Sequence, residues 1–383
     1  MNLIIRLLLS LLLLMPFKVL ALDIIFGPEF TFAPEDGGDP NIPERDALVR
    51  WMWNHLVKNQ SAGAKFSKRD LDNGEYIWFQ SPNGWSFTVS VDPGVIEIQM
   101  KPMTVEMFEH FKNDIQDAIF ASASNIRFFP SEFTGGGHIN MNCAEFRKNP
   151  LLFRNFVVDL YNHNELFMGV FGYDTNNAIP WYLKNRTGPF AEVIRKFDNG
   201  DYGSDFEKFA TALQSALSTS ADRFIRLWDI RPPDIQMREP KLRSEKSHMV
   251  NFDKIITQDR LEIRAIRPQA SADMWVRQIR LFKQRLEYLA KLDRGIPIEV
   301  LVPVAGIDIP NREHHLNPPI RAEDALRAFY AYVTESGENW QDHRDYLWPD
   351  WVKDGELERF EKSEWFKTRE QAPLKACEKR LSS

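Results

Sequence analysis

Four short segments of this chain place a metal-ligating side chain among apolar residues. Glu29 lies in Gly27-Pro28-Glu29-Phe30-Thr31-Phe32 and Glu97 in Val95-Ile96-Glu97-Ile98-Gln99-Met100. His138 opens His138-Ile139-Asn140-Met141-Asn142, and Glu262 lies in Arg260-Leu261-Glu262-Ile263-Arg264-Ala265. Side chains alternate across a strand, so each segment splits into an apolar face and a polar one. The polar faces collect Glu29 and Thr31, Glu97 and Gln99, then His138, Asn140 and Asn142, and finally Arg260, Glu262 and Arg264. Any single antiparallel strand with one wet face alternates in this way. Glutamate, however, is depleted in strands, and its presence at the centre of three of them asks for a chemical reason. Carboxylates with one imidazole suit a hard divalent cation such as Mg²⁺ or Mn²⁺. If the four strands share one antiparallel sheet, three carboxylates, a histidine and two arginines converge on its open side.

Positioning such a face requires a sheet backed by helices. Between Ile24 and Gln99 the signals are mostly of strand type, and Phe87, Val89 and Val91 alternate with Thr88 and Ser90 up to a hairpin turn at Asp92-Pro93-Gly94. Thr104 stands where an N-cap belongs, and Val105, Phe108, Phe111, Ile115 and Ile119 recur at helical spacing. A mostly helical stretch follows from about 149 to 227, with loops near Asp174 and Gly200. The Pro-, Arg- and Lys-rich segment from Arg231 to Lys246 reads as a loop. Asp273 precedes a second helix, with Trp275, Ile279, Phe282, Leu286 and Leu289 as its buried stripe. The remainder, from Pro297 onward, is Trp- and Glu-rich and reads as helical. Trp340, Trp348, Trp351 and Trp365 could stack on a sugar or a partner, but helices docking on the main body explain them more simply.

The first residues set a compartment. Arg6, the apolar run from Leu7 to Phe17 and the small-residue chemistry ending at Ala21 read as a signal peptide over 1–21, so export to a periplasm or the medium is expected, with no transmembrane segment after cleavage. The 383 residues are 43% hydrophobic and 27% charged, enough to bury a core. A formal net charge of −6, with basic residues interspersed among acidic ones, excludes a nucleic-acid footprint. Cys143 and Cys377 could pair in an oxidising compartment or remain two buried, inert thiols.

Four motifs, taken in order, resemble the amidoligase family, relatives of the glutamate-cysteine ligases and glutamine synthetases. They are Phe26 to Phe32, then Val91 to Ile98 with Pro102 following, then Gly135-Gly136-Gly137-His138-Ile139-Asn140-Met141-Asn142, and finally His248 to Phe252 leading into Arg260 to Arg264. The resemblance covers roughly 26–292 and rests on order and spacing. It implies an α+β fold, with an antiparallel sheet forming a glutamine-synthetase-like half-barrel and helices on its convex face. The catalytic unit would span 22–295, with a mostly helical extension over 296–383. It implies further an ATP- and Mg²⁺- or Mn²⁺-dependent ligation of a carboxylate to an amine through an acyl phosphate, on a small-molecule or peptide substrate. Carried over by position, Glu29, Glu97, His138 and Glu262 match metal ligands. Arg264 and Glu262 match catalytic groups, while Arg260, Asn140 and Asn142 match positions that bind the nucleotide. Gly135 to Gly137 would let backbone approach the reacting groups.

Thr31 and Asn140 stand where family members often carry a second acid and a second histidine. With the export signal, these departures favour an alternative, a non-catalytic member that binds an amino acid or peptide through the same funnel. Amide hydrolysis by the same carboxylates is a third reading.

Overall fold

The alternating segments become neighbours through backbone pairing, and the order in which they pair decides which side chains meet. A computed structural model describes residues 22–35, 42–58, 67–71, 76–92, 95–130, 137–163, 189–216, 250–252, 254–264, 266, 268–298, 322–344 and 355–370. The signal-peptide segment, Gly135 and Gly136, the basic loop 231–246, His248, Trp348, Trp351 and Cys377 lie outside them. Strands β1 (Phe26–Pro34), β2 (Ser67–Leu71), β3 (Tyr76–Gln80), β4 (Ser86–Asp92), β5 (Val95–Met100), β6 (Phe128–Phe129), β7 (His138–Asn142), β8 (Val250–Asn251) and β9 (Arg260–Ile263) join one sheet. Its order is β2-β3-β4-β5-β1-β7-β9-β8, with β6 pairing to β1 off this path. The pairings are antiparallel, and the sheet is open, with β2 at one edge and β8 at the other. The hairpin read at Asp92 is present, since Asp92 pairs with Val95 across it.

Helices cover the apolar face. Helix α1 (Ile42–Lys58) buries Leu48, Val49 and Met52 and packs on β4. It falls where strand signals were expected, although Leu48, Val49 and Met52 already show the helical repeat. Helix α2 (Val105–Ile115) begins at Thr104, whose hydroxyl accepts from the Met107 N–H at 3.3 Å as an N-cap should, and it buries Val105, Phe108, Phe111 and Ile115. The chain then continues through a π-helical turn at Gln116–Ala121. In the stretch read as mostly helical, α3 (Pro150–Asn162) and α4 (Pro189–Asp198) form, and turns at 199–204 lead to further helix over 206–216.

Helix α5 (Ala272–Leu289) buries the whole predicted stripe, but its cap is Ser271, which accepts from the Met274 N–H at 3.1 Å. Asp273 therefore sits inside the first turn. Trp275 meets Phe30 and Phe108 edge-on, at centroid separations of 5.8 and 5.6 Å, which locks α2 and α5 onto the centre of the sheet. The helix α6 (Ala322–Glu335) packs on α5, and Tyr330, Trp340, Phe360, Trp365 and Phe366 interlock beyond it. Trp340 and Trp365 thus dock helices, as expected. Burying this much aromatic surface contributes on the order of several kcal/mol. No helix among the described residues is long and apolar enough to cross a membrane.

Candidate metal centre

Directly opposed residues of an antiparallel pair share a face, so the register decides whether the polar side chains converge. Thr31 opposes Glu97, Glu29 opposes both Gln99 and His138, and Asn140 opposes Glu262, which in turn opposes Asn251. Glu29, Glu97, His138 and Glu262 therefore lie on one face of one sheet, as the alternation predicted.

That face is not open to solvent at its centre, contrary to expectation. Glu29 is 7% exposed, His138 8%, Asn140 5% and Glu262 4%. The side chains satisfy one another instead of water, as buried polar groups must. His138 Nδ1 donates to Glu29 Oε2 at 3.0 Å and lies 3.5 Å from Glu262 Oε1. Asn140 Nδ2 donates to Glu29 Oε1 at 2.9 Å and to the Gly27 carbonyl at 3.3 Å. On the other side, Asn251 Nδ2 donates to Glu262 Oε2 at 2.9 Å and Arg264 Nη1 to Glu262 Oε1 at 2.6 Å. Arg264 lies just past the last residue of β9, earlier than the expected strand end.

Ligand atoms of Glu29, His138 and Glu262 lie within 4.8 Å of one another, a spacing at which one cation can touch all three. Because both contacts of Asn140 Nδ2 are to acceptors, its amide orientation is determined, and Oδ1 is left buried with no hydrogen-bond partner among the described residues. Leaving such an acceptor unmet costs about 1–3 kcal/mol unless a donor or cation meets it.

The carboxylates differ in charge state. Burial would raise Glu29, but the His138 ring, the Asn140 amide and the Arg264 guanidinium outweigh it and hold the carboxyl at about 2. Burial, then the charge of Glu29, pushes Glu97 up to about 7, which its hydrogen bond from Gln99 and the nearness of His138 only partly offset. Glu97 is half-buried, diagonal to Glu29 and outside the group of three that can share one ion.

Two other predicted residues sit at the margin. Asn142 accepts from the Ile25 N–H at 3.0 Å and donates to the Asp23 carbonyl at 3.3 Å, which ties β7 to the chain before β1. Arg260 opposes Asn142, with a buried Nε that has no hydrogen-bond partner among the described residues. Cys143, next in the chain, is a buried free thiol whose pKa burial and Asp259 push up to about 12, which leaves it inert at neutral pH. Asn251, which lies in the fourth motif but carries no expected role, joins the site through Glu262. Its signal was the alternation of Val250, Asn251 and Phe252 just before the Glu262 strand.

Searches against models of protein families, curated proteins and solved structures find no match.

Proposed function

We propose that this chain is a metal-dependent carboxylate–amine ligase with a glutamine-synthetase-like arrangement of its sheet, using ATP to activate the carboxylate, and that it works after export. The observation that carries the reading is the buried group of Glu29, His138 and Glu262, with the unmet Oδ1 of Asn140 beside it. The donor set fits a hard cation. Two carboxylates, one held ionised at about 2, and one imidazole supply oxygen and nitrogen at ion-binding spacing, and a carboxamide oxygen adds another hard donor. Glu29, His138 and Glu262 would hold Mg²⁺ or Mn²⁺, which when bound neutralises charge on phosphate oxygens.

The remaining chemistry belongs to the chain's own side chains. Asn140 orients the Glu29 carboxylate, which in turn holds the His138 ring at Nδ1, the nitrogen facing both glutamates; a neutral imidazole protonated on Nε2 would present its Nδ1 lone pair to an ion between them. Asn251 and Arg264 orient the Glu262 carboxylate from opposite sides. The planar guanidinium of Arg264 has the fork geometry that matches the oxygens of a phosphoryl group in transfer. In the reaction a substrate carboxylate oxygen takes the terminal phosphoryl group and ADP leaves. An amine then attacks the carbonyl carbon, phosphate departs, and the amine proton is lost to give the amide.

Thr31, opposite Glu97 where a second acid would be expected, favours a second reading, a binding protein on the same scaffold without catalysis. Incubation with Mg²⁺, ATP, glutamate and an amine separates the two. The ligase releases ADP and phosphate in equal amounts only when the amine is present, and Arg264→Ala lowers the rate by about 10³-fold or more. ADP release no greater than in a blank would sink the ligase in favour of the binding protein.

A further inference from the structure

The metal-ligating residues stand at one end of a straight row across the sheet. Arg69 opposes Trp78, Trp78 opposes Thr88, Thr88 opposes Gln99, Gln99 opposes Glu29 and Glu29 opposes His138. Successive register partners share a face, so all six lie on the face of the proposed metal centre. Strands are about 4.8 Å apart, which puts Arg69 about 19 Å from Glu29. The row is buried at His138 and Glu29 and accessible from Gln99 onward, with Thr88 and Trp78 half-buried and Gln99 and Arg69 exposed.

At the outer end the Arg69 guanidinium lies over the Trp78 ring at 4.5 Å, and Tyr76, 37% exposed, shares that face in the next row with Ser90 and Glu97. A cross-strand cation–π pair alone would be explained by hairpin stability. Arg69 goes further, because it forms no ion pair with any carboxylate among the described residues, whereas Glu29, Glu97 and Glu262 crowd the other end. The gradient is therefore acidic at the closed end, hydroxyl and amide in the middle, and cationic at the open end. Stacking on Trp78 holds the guanidinium flat and leaves its donor edge available for a carboxylate.

We propose that this row binds the amine-bearing substrate as an extended peptide, amino group inward toward the glutamates and terminal carboxylate on Arg69. The assignment rests on the ligase reading for the role of the amine and on this row for the rest. At about 3.3 Å per residue the row accommodates about five residues. Thr88 Oγ1 donates to the Gln99 carbonyl and Gln99 Nε2 to Glu97, which leaves their side-chain oxygens placed to accept from peptide N–H groups.

Isothermal titration of the full-length protein with pentaalanine tests the proposal. The free peptide is expected to bind at least tenfold more tightly than its C-terminally amidated or N-acetylated forms. Arg69→Gln should bind the free acid no better than the amide, and Trp78→Leu should lose most of the preference. Both variants should take up Mn²⁺ as the wild type does, which separates a binding role from a structural one. No binding by the wild type, equal binding of the free and amidated peptides, or a preference that survives Arg69→Gln overturns the proposal. If the carboxylate preference depends on Arg69 but the wild type takes up no Mn²⁺, the row stands and the ligase reading falls.

Discussion

Two groups of buried charge stand in different elements of this molecule, one among helices and one on the sheet, and they are built on different principles. At the junction of α3, α5 and α6, Arg285 Nε donates to Asp159 Oδ2 at 2.9 Å and Nη2 to Asp159 Oδ1 at 2.5 Å, a bidentate pair with both side chains nearly inaccessible. Nη1 reaches Glu335 on α6 at 3.0 Å, and the guanidinium lies over Tyr332 at 4.4 Å. Although burial raises Asp159, His163 and Arg285 pull it below the ordinary carboxylate range. Burial disfavours the charged Arg285, yet Asp159 holds it firmly protonated. Charge and hydrogen-bonding capacity close on themselves. On the sheet face, by contrast, Glu29, Glu97 and Glu262 surround one histidine and Arg264, and Asn140 keeps an acceptor unmet. A closed buried pair is a latch between helices, while an acid-rich, incompletely satisfied one is a site that a cation completes.

The comparison breaks most easily at the latch. Arg285→Met should cost about 3–5 kcal/mol in chemical denaturation, because it leaves Asp159 buried and uncompensated, whereas adding Asp159→Leu should restore most of the loss. A small loss in the single variant would erase the contrast between the two groups.

At the site the expected effect is linked to the ion. Mn²⁺ at about a hundredfold excess over its dissociation constant should stabilise the wild type by about 2.7 kcal/mol and leave Glu262→Gln unchanged, as read from denaturation midpoints with and without the ion. Equal stabilisation of both proteins would move the ion elsewhere.

Titration sharpens the contrast further. Glu97, raised from its ordinary 4.5 to about 7, keeps in the folded chain a proton that the unfolded chain gives up, so its contribution to stability falls as pH rises from 4.5 to 7. Glu29, held at about 2, contributes stability that is present above 4.5 and lost as pH falls toward 2. Denaturation across pH should show Glu97→Gln flattening the decline between 4.5 and 7, and Glu29→Gln removing part of the acid loss. The smallest effect serves as a scale: Thr104→Ala, at the cap of α2 on the apolar side, should cost about 1 kcal/mol in the same assay and leave Mn²⁺ binding untouched.

How much of this was legible in the sequence varies with range. Strand alternation identified the four segments and their shared face, because a period of two is local and the register follows from burying Phe30, Ile98, Ile139 and Ile263 together. Alternation says which way Glu29 and His138 point, but not what packs around them, so their burial was not legible. Asn251 lies eleven residues before Glu262 and meets it only through the pairing of β8 with β9. The helix α1 was misread through weight given to the strands around it. Ser271 was missed as a cap because Asp273, two residues on, has the same preference. Neither the Arg285–Asp159 latch nor the row to Arg69 leaves any local sequence pattern, since both join elements distant along the chain.

The central claim is that Glu29, His138 and Glu262 form one cation site. Electron paramagnetic resonance of free Mn²⁺ during titration with protein tests it most directly. The wild type should deplete the free-ion signal to saturation, while Glu29→Gln and Glu262→Gln, folded by their thermal melts, should leave it standing. A wild type that fails to deplete the signal, or variants that deplete it equally well, would contradict the account.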